Sequence, residues 1–132
     1  MSMARFLINF VVTFLLFGLL YYIVDISMPD LNIMMSEVGR PMDAPEQMWV
    51  MIGHVIQTIA YVWLFMKIVT QQCWKAGAMF GFMAGLLMIG VDMVYYGMMS
   101  IPADVSIVMI PVGVIISMIV GAILGLMNKP TA

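Results

Sequence analysis

Apolar residues run along this chain in long blocks, and polar residues punctuate them at regular steps. The blocks cover roughly Arg5–Ile26, Glu46–Thr70, Lys75–Met99 and Asp104–Asn128. Each is long enough for a helix to cross the hydrocarbon core, which takes about 20 predominantly apolar residues. The pattern predicts an all-α fold: a single integral membrane domain over residues 1–132, built as a bundle of four transmembrane helices. The first block is read as a retained span, because its apolar region is too long for a signal peptide and no small-x-small cleavage site follows.

Within each block the polar and small residues keep helical spacing. Span one carries Asn9, Thr13, Phe17, Tyr21 and Asp25 at four-residue steps, a stripe predicted to face the bundle. On span two, His54, Gln57, Thr58 and Tyr61 fall within about 100° of arc. Such a face is predicted to meet another helix or a water-filled cleft, since unpartnered polar groups in hydrocarbon cost several kcal/mol each. Span three has Gly77, Gly81 and Gly85 four apart, with Asp92 between Gly81 and Gly85 in angle. Span four repeats the device with Gly113, Ser117, Gly121 and Gly125. Both small-residue stripes predict close helix packing, within the bundle or against a neighbouring chain. Pro111 frees the Ile107 carbonyl and predicts a kink or loosening of span four.

The connections have order of their own. Ser27-Met-Pro-Asp30 has capping-box spacing, and Leu31, Met34, Met35 and Val38 then follow i, i+3, i+4, i+7 before Gly39 and Pro41. This predicts a short interfacial helix in the loop between spans one and two, lying flat on the outer surface or forming a lid. Asp43-Ala-Pro-Glu46 and Ser100-Ile-Pro-Ala-Asp104 read as further helix starts. Tyr21-Tyr22 before Ser27-x-Pro29 resembles Tyr95-Tyr96 before Ser100-x-Pro102, and Val50-Met51-Ile52 recurs as Val108-Met109-Ile110. These matches suggest a parallel two-plus-two repeat, although interfacial tyrosines and Ser-x-Pro helix starts also recur for generic reasons.

Composition narrows the class. At 64% hydrophobic and 9% charged, the chain has too little charge to cover a water-soluble surface. Arg5, Lys67, Lys75 and Lys129 fall on one side of the spans and only Arg40 on the other, which predicts both termini in the cytoplasm. The expected location is the bacterial inner (cytoplasmic) membrane. Five Lys+Arg argue against a nucleic-acid partner. The single Cys73 has no internal disulfide partner, and one Cys with one His argues against a multi-ligand zinc site.

Candidate chemistry rests on few residues. His54 and Asp92 are each predicted about 10–12 Å below the outer surface, with Gln57 and Tyr61 deeper on the same side as His54. They are read either as an ion or proton site or as an interhelical hydrogen bond that sets register. Of the 18 methionines, Met34, Met35, Met48 and Met51 gather with His54 toward the outer side as candidate Cu(I) ligands. Met79-x-x-x-Met83 overlapping Gly77-x-x-x-Gly81 resembles the Ctr copper transporters, a likeness that implies copper handling; here both motifs share one helix of a four-span chain. Methionine also serves as flexible apolar filler.

No nucleophile–base pair or metal triad is apparent, so an enzyme is not expected. No cofactor is predicted, with copper the one candidate. The expected function is a non-enzymatic accessory or structural subunit of a larger membrane complex, packing through Gly-rich helix faces. The expected partners are the lipid bilayer and other transmembrane helices, in a homo-oligomer or a larger complex. Two alternatives stand beside it: a small oligomeric proton-coupled transporter or channel using Asp92 and His54, and copper handling at the outer face.

Overall fold

Each apolar block folds as one unbroken helix. A computed structural model describes residues 2–30, 44–98 and 103–129. Its helices are α1 (Met3–Ser27), α2 (Gln47–Ile68), α3 (Trp74–Met98) and α4 (Ala103–Met127). All four contain stretches long and apolar enough to cross a membrane. Helix is the natural state of such segments, because in hydrocarbon the backbone must satisfy its own N–H and C=O groups. α4 continues through Pro111 without interruption.

The helix starts use backbone more than side chains. Glu46 occupies the N-cap of α2 in helical conformation and makes no side-chain cap bond. Instead Gln47 N–H donates to Ala44 O at 3.0 Å and Trp49 N–H to Glu46 O at 3.0 Å. Asp43, the interfacial helix expected over 31–38 and the expected cap at Ser100 lie outside the described residues.

The helices form a ring with unequal seams. α3 and α4 have the most extensive contact, α1 packs on both α2 and α4, and α2 touches α3 only sparsely. Asn9 near the start of α1 pairs with Asn128 just beyond α4, and the Cys73 carbonyl in the α2–α3 turn lies against Gly125. The start of α1, the end of α4 and the α2–α3 turn therefore share one end of the bundle, here the terminal end. The opposite end is the loop end.

The distribution of side chains is inverted relative to a protein in water. Asn9, Thr13, Thr58, Ser117 and Asn128 are buried, while Leu7, Val11, Leu15 and Leu19 of α1 and Leu87 and Val94 of α3 are exposed. That inversion matches a lipid surround, in which apolar side chains gain nothing by hiding and polar ones must find partners. Phe17, Tyr61, Phe65, Val69, Ile116, Val120 and Leu124 form the central cluster. Within it Phe17–Tyr61, Tyr61–Phe80 and Phe65–Phe80 meet edge to face, with centroids 5.3, 5.0 and 5.5 Å apart. This geometry suits the ring quadrupoles.

Candidate functional site

The two small-residue stripes face each other. A methyl group added to Gly77 would strike the Gly121 carbonyl oxygen, and one on Gly125 would strike the Cys73 carbonyl oxygen. On Gly81 it would collide with the Ser117 carbonyl and lie 2.7 Å from the Met118 Cα, and on Gly85 it would come 3.0 Å from the Val114 Cα. The α3 and α4 backbones thus touch over about two turns of helix. Gly113 is looser, facing the Ile89 side chain at 3.1 Å. These glycines are consumed inside the chain, which leaves the stripes unavailable to a partner.

The polar residues of α2 are divided among its neighbours. His54 Nε2 lies 3.3 Å from the Phe14 carbonyl oxygen on α1, a contact the Nε2–H tautomer makes as donor. Its ring also stacks obliquely on Phe14 at 4.5 Å between centroids. Thr58 Oγ1 donates to His54 O at 2.7 Å, turning the hydroxyl back onto its own helix. Tyr61 crosses the core and donates its phenol to Ser117 O at 2.7 Å. Ser117 Oγ in turn lies 3.4 Å from the Tyr61 hydroxyl and donates to it. Tyr61 thereby ties α2 to the same stretch of α4 that Gly81 presses against.

Gln57 is the exception, since it lies exposed at the edge of a groove between α2 and α3. The groove has a volume of about 610 Å³ and runs from Gln57 and Met88 to Thr70 and Gln71 at the terminal end. Leu64 and Ile68 on α2 and Met79, Met83 and Leu87 on α3 form its walls, with Tyr61 and Phe80 also lining it. The lining is mostly apolar, with Ala60, Ala76 and Ala84 among the larger side chains and polar groups confined to Gln57, Thr70, Gln71 and the Tyr61 hydroxyl, so a hydrophobic occupant fits it best.

Asp92 lies elsewhere. It lines a small cleft of about 100 Å³ with Tyr21 of α1, Ile89 of α3, and Met109, Ile110 and Gly113 of α4. His54 is not among those residues; its ring is engaged with Phe14 and, at 6.3 Å, Phe17 of α1. The structure therefore does not bring His54 and Asp92 together as a pair. Equal depth on two helices does not make two residues neighbours when they face different seams.

Among the candidate copper ligands, Met34 and Met35 lie outside the described residues. Met48 and Met51 are exposed on the first turns of α2, while the His54 ring is turned onto α1.

Two features of the terminal end were missing from the sequence reading. Asn9 and Asn128 exchange reciprocal amide bonds: Asn9 Nδ2 donates to Asn128 Oδ1 at 3.2 Å, and Asn128 Nδ2 donates to Asn9 Oδ1 at 3.1 Å. Asn128 Nδ2 also reaches Leu124 O at 2.8 Å. One turn along α1, Thr13 Oγ1 is buried with no hydrogen-bond partner. The position of Asn9 on the polar stripe of span one was the available signal. No protein-family model matches the chain, and no curated protein or solved structure is significantly similar to it.

Proposed function

We propose that this chain is a non-enzymatic packing subunit of a membrane assembly, and that it receives a transmembrane helix in the α2–α3 groove. The observation that carries this reading is the groove itself, a lipid-level recess of about 610 Å³ with an exposed glutamine at its edge. Apolar walls suit a helix surface, and a polar residue at the rim of a contact joins helices in a medium that offers no water. Arg5, Lys67, Lys75 and Lys129 cluster toward the terminal end, which supports a cytoplasmic position for that end in a bacterial inner membrane.

Size measurement in mild detergent at high lipid ratio tests the proposal. The wild-type chain is expected in an assembly larger than one copy, and Met83→Trp, which fills the groove, is expected to release it as a folded monomer. A wild-type chain that remains monomeric at every detergent-to-lipid ratio overturns the reading.

A second reading rests on Asp92. A carboxylate within a span, lining a cleft with residues of three helices, supports an ion or proton site in a small transporter or channel. Proteoliposome flux decides it. Asp92→Asn is expected to abolish a proton-coupled flux, and equal rates for the two proteins remove Asp92 from any such mechanism.

A further inference from the structure

The groove poses a chemical problem that its apolar walls do not solve. Gln57 is exposed at lipid depth, ten positions into α2, and its carboxamide carries two donors and an acceptor. An acyl chain filling the groove would leave all of them unmet, at a cost that hydrocarbon makes large. The occupant must therefore bring a polar group to the depth of Gln57, on a surface otherwise apolar.

A carboxamide is its own complement, because its donor and acceptor pair with those of a second carboxamide in reverse. The chain already joins two helices this way, through the reciprocal Asn9–Asn128 bonds of 3.2 and 3.1 Å. Copies inserted with one topology also share one depth scale, and a two-fold axis along the membrane normal brings each residue opposite itself. A second copy thus presents Gln57 at the required depth without any adjustment. Gly53 lies one turn away on the same edge of α2, with nothing within 4 Å of where its Cβ would be, so another helix can approach there closely.

We infer that the α2–α3 groove receives α2 of a second copy of this chain, with the two Gln57 carboxamides hydrogen-bonded across the two-fold axis. The inference rests on the packing-subunit reading and names the first partner in it. The resulting contact is isologous: α2 of each protomer enters the groove of the other. It gives an occupant to the recess that α2 and α3 leave beside the Phe80 contacts with Tyr61 and Phe65.

Disulfide trapping in native membranes tests the arrangement, using single cysteines in a Cys73→Ser background. Gln57→Cys and Gly53→Cys are expected to give a dimer of this chain on mild oxidation. Ile59→Cys, exposed on another face of α2, and Leu15→Cys, exposed on α1, are expected to stay monomeric. In a Gly53→Cys background, Gln57→Leu is expected to weaken association about tenfold, and Gln57→Asn to keep most of it.

Equal trapping at all four positions reports random collision and overturns the proposal. An adduct between Gln57→Cys and a different chain overturns the second copy as occupant but leaves the packing-subunit reading standing. No adduct at Gln57 or Gly53, with the wild type monomeric in detergent, overturns both. No adduct at either position, with the wild type still in a larger assembly, overturns the α2 contact alone.

Discussion

Helix α3 has two working faces, and they are built in opposite ways. Toward α4 it offers Gly77, Gly81 and Gly85, and the two backbones meet with nothing between them. Toward α2 it offers Phe80, which packs on Tyr61 and Phe65, and beside that contact Met79, Met83 and Leu87 wall a groove of about 610 Å³. In water, burial of those large apolar side chains would close the second seam as readily as the first. In lipid it does not, because the tails are as apolar as leucine and the driving force comes from close packing and polar bonds. Glycines with direct backbone contact therefore mark the seam that is closed, while the open one has side chains of mixed size, Ala60, Ala76 and Ala84 among Met79, Met83 and Leu87. Tyr61 bridges the two regimes, lining the groove while its hydroxyl holds α4.

Substitutions on the two faces should differ most where the backbones touch. Gly81→Leu or Gly121→Leu is expected to cost about 3 kcal/mol or more, since neither opposing backbone can yield to a side chain. Thermal unfolding in detergent would show this as loss of a folded population. Gly90→Leu is the matched control on the same helix, with open space around its Cα, and should change stability by less than about 0.5 kcal/mol. If the two leucines behave alike, the glycine seam is not what holds α3 to α4.

The polar bonds should come next. Asn9→Leu leaves the Asn128 amide without one of its partners in the buried terminal end, for a loss of about 1–2 kcal/mol. Adding Asn128→Leu should recover part of it, because the double variant leaves no orphan. Strict additivity in a double-mutant cycle would deny the coupling. At the neighbouring turn, Thr13→Val should raise stability by about 1 kcal/mol by removing a buried hydroxyl that has no partner. A destabilised Thr13→Val would mean that the hydroxyl is used.

Smaller effects are expected where the groove begins. Tyr61→Phe should lose about 0.6 kcal/mol, the scale of one interhelical hydrogen bond in lipid, while keeping the ring contacts with Phe17 and Phe80. Met83→Ala should be close to neutral for folding, because Met83 is exposed along the groove wall. Measured on the same unfolding assay, a large loss at Met83 would show that the α2–α3 seam carries stability after all.

Length and hydropathy determined the four spans, with ends that agree with the helices within about two residues. Periodicity also determined angle within each helix. The stripe read on span one contains all three buried residues of α1, namely Asn9, Thr13 and Phe17. Spacing placed Gly77, Gly81 and Gly85 on one line and Gly113, Ser117, Gly121 and Gly125 on another. It could not say that the lines face each other and leave none of their close contact for a partner. Nor could it divide the α2 cluster, sending His54 to α1, Tyr61 to α4 and Gln57 to the open edge, or set Asp92 apart from His54. The reason is physical: a sequence period gives each residue an angle about its own helix, while the azimuth of one helix against another depends on which surfaces interlock. In lipid, apolar contrast does not supply that azimuth, and only backbone contact and the few polar bonds can. The tertiary structure alone therefore decided which seam of α3 closed backbone to backbone and which kept a groove.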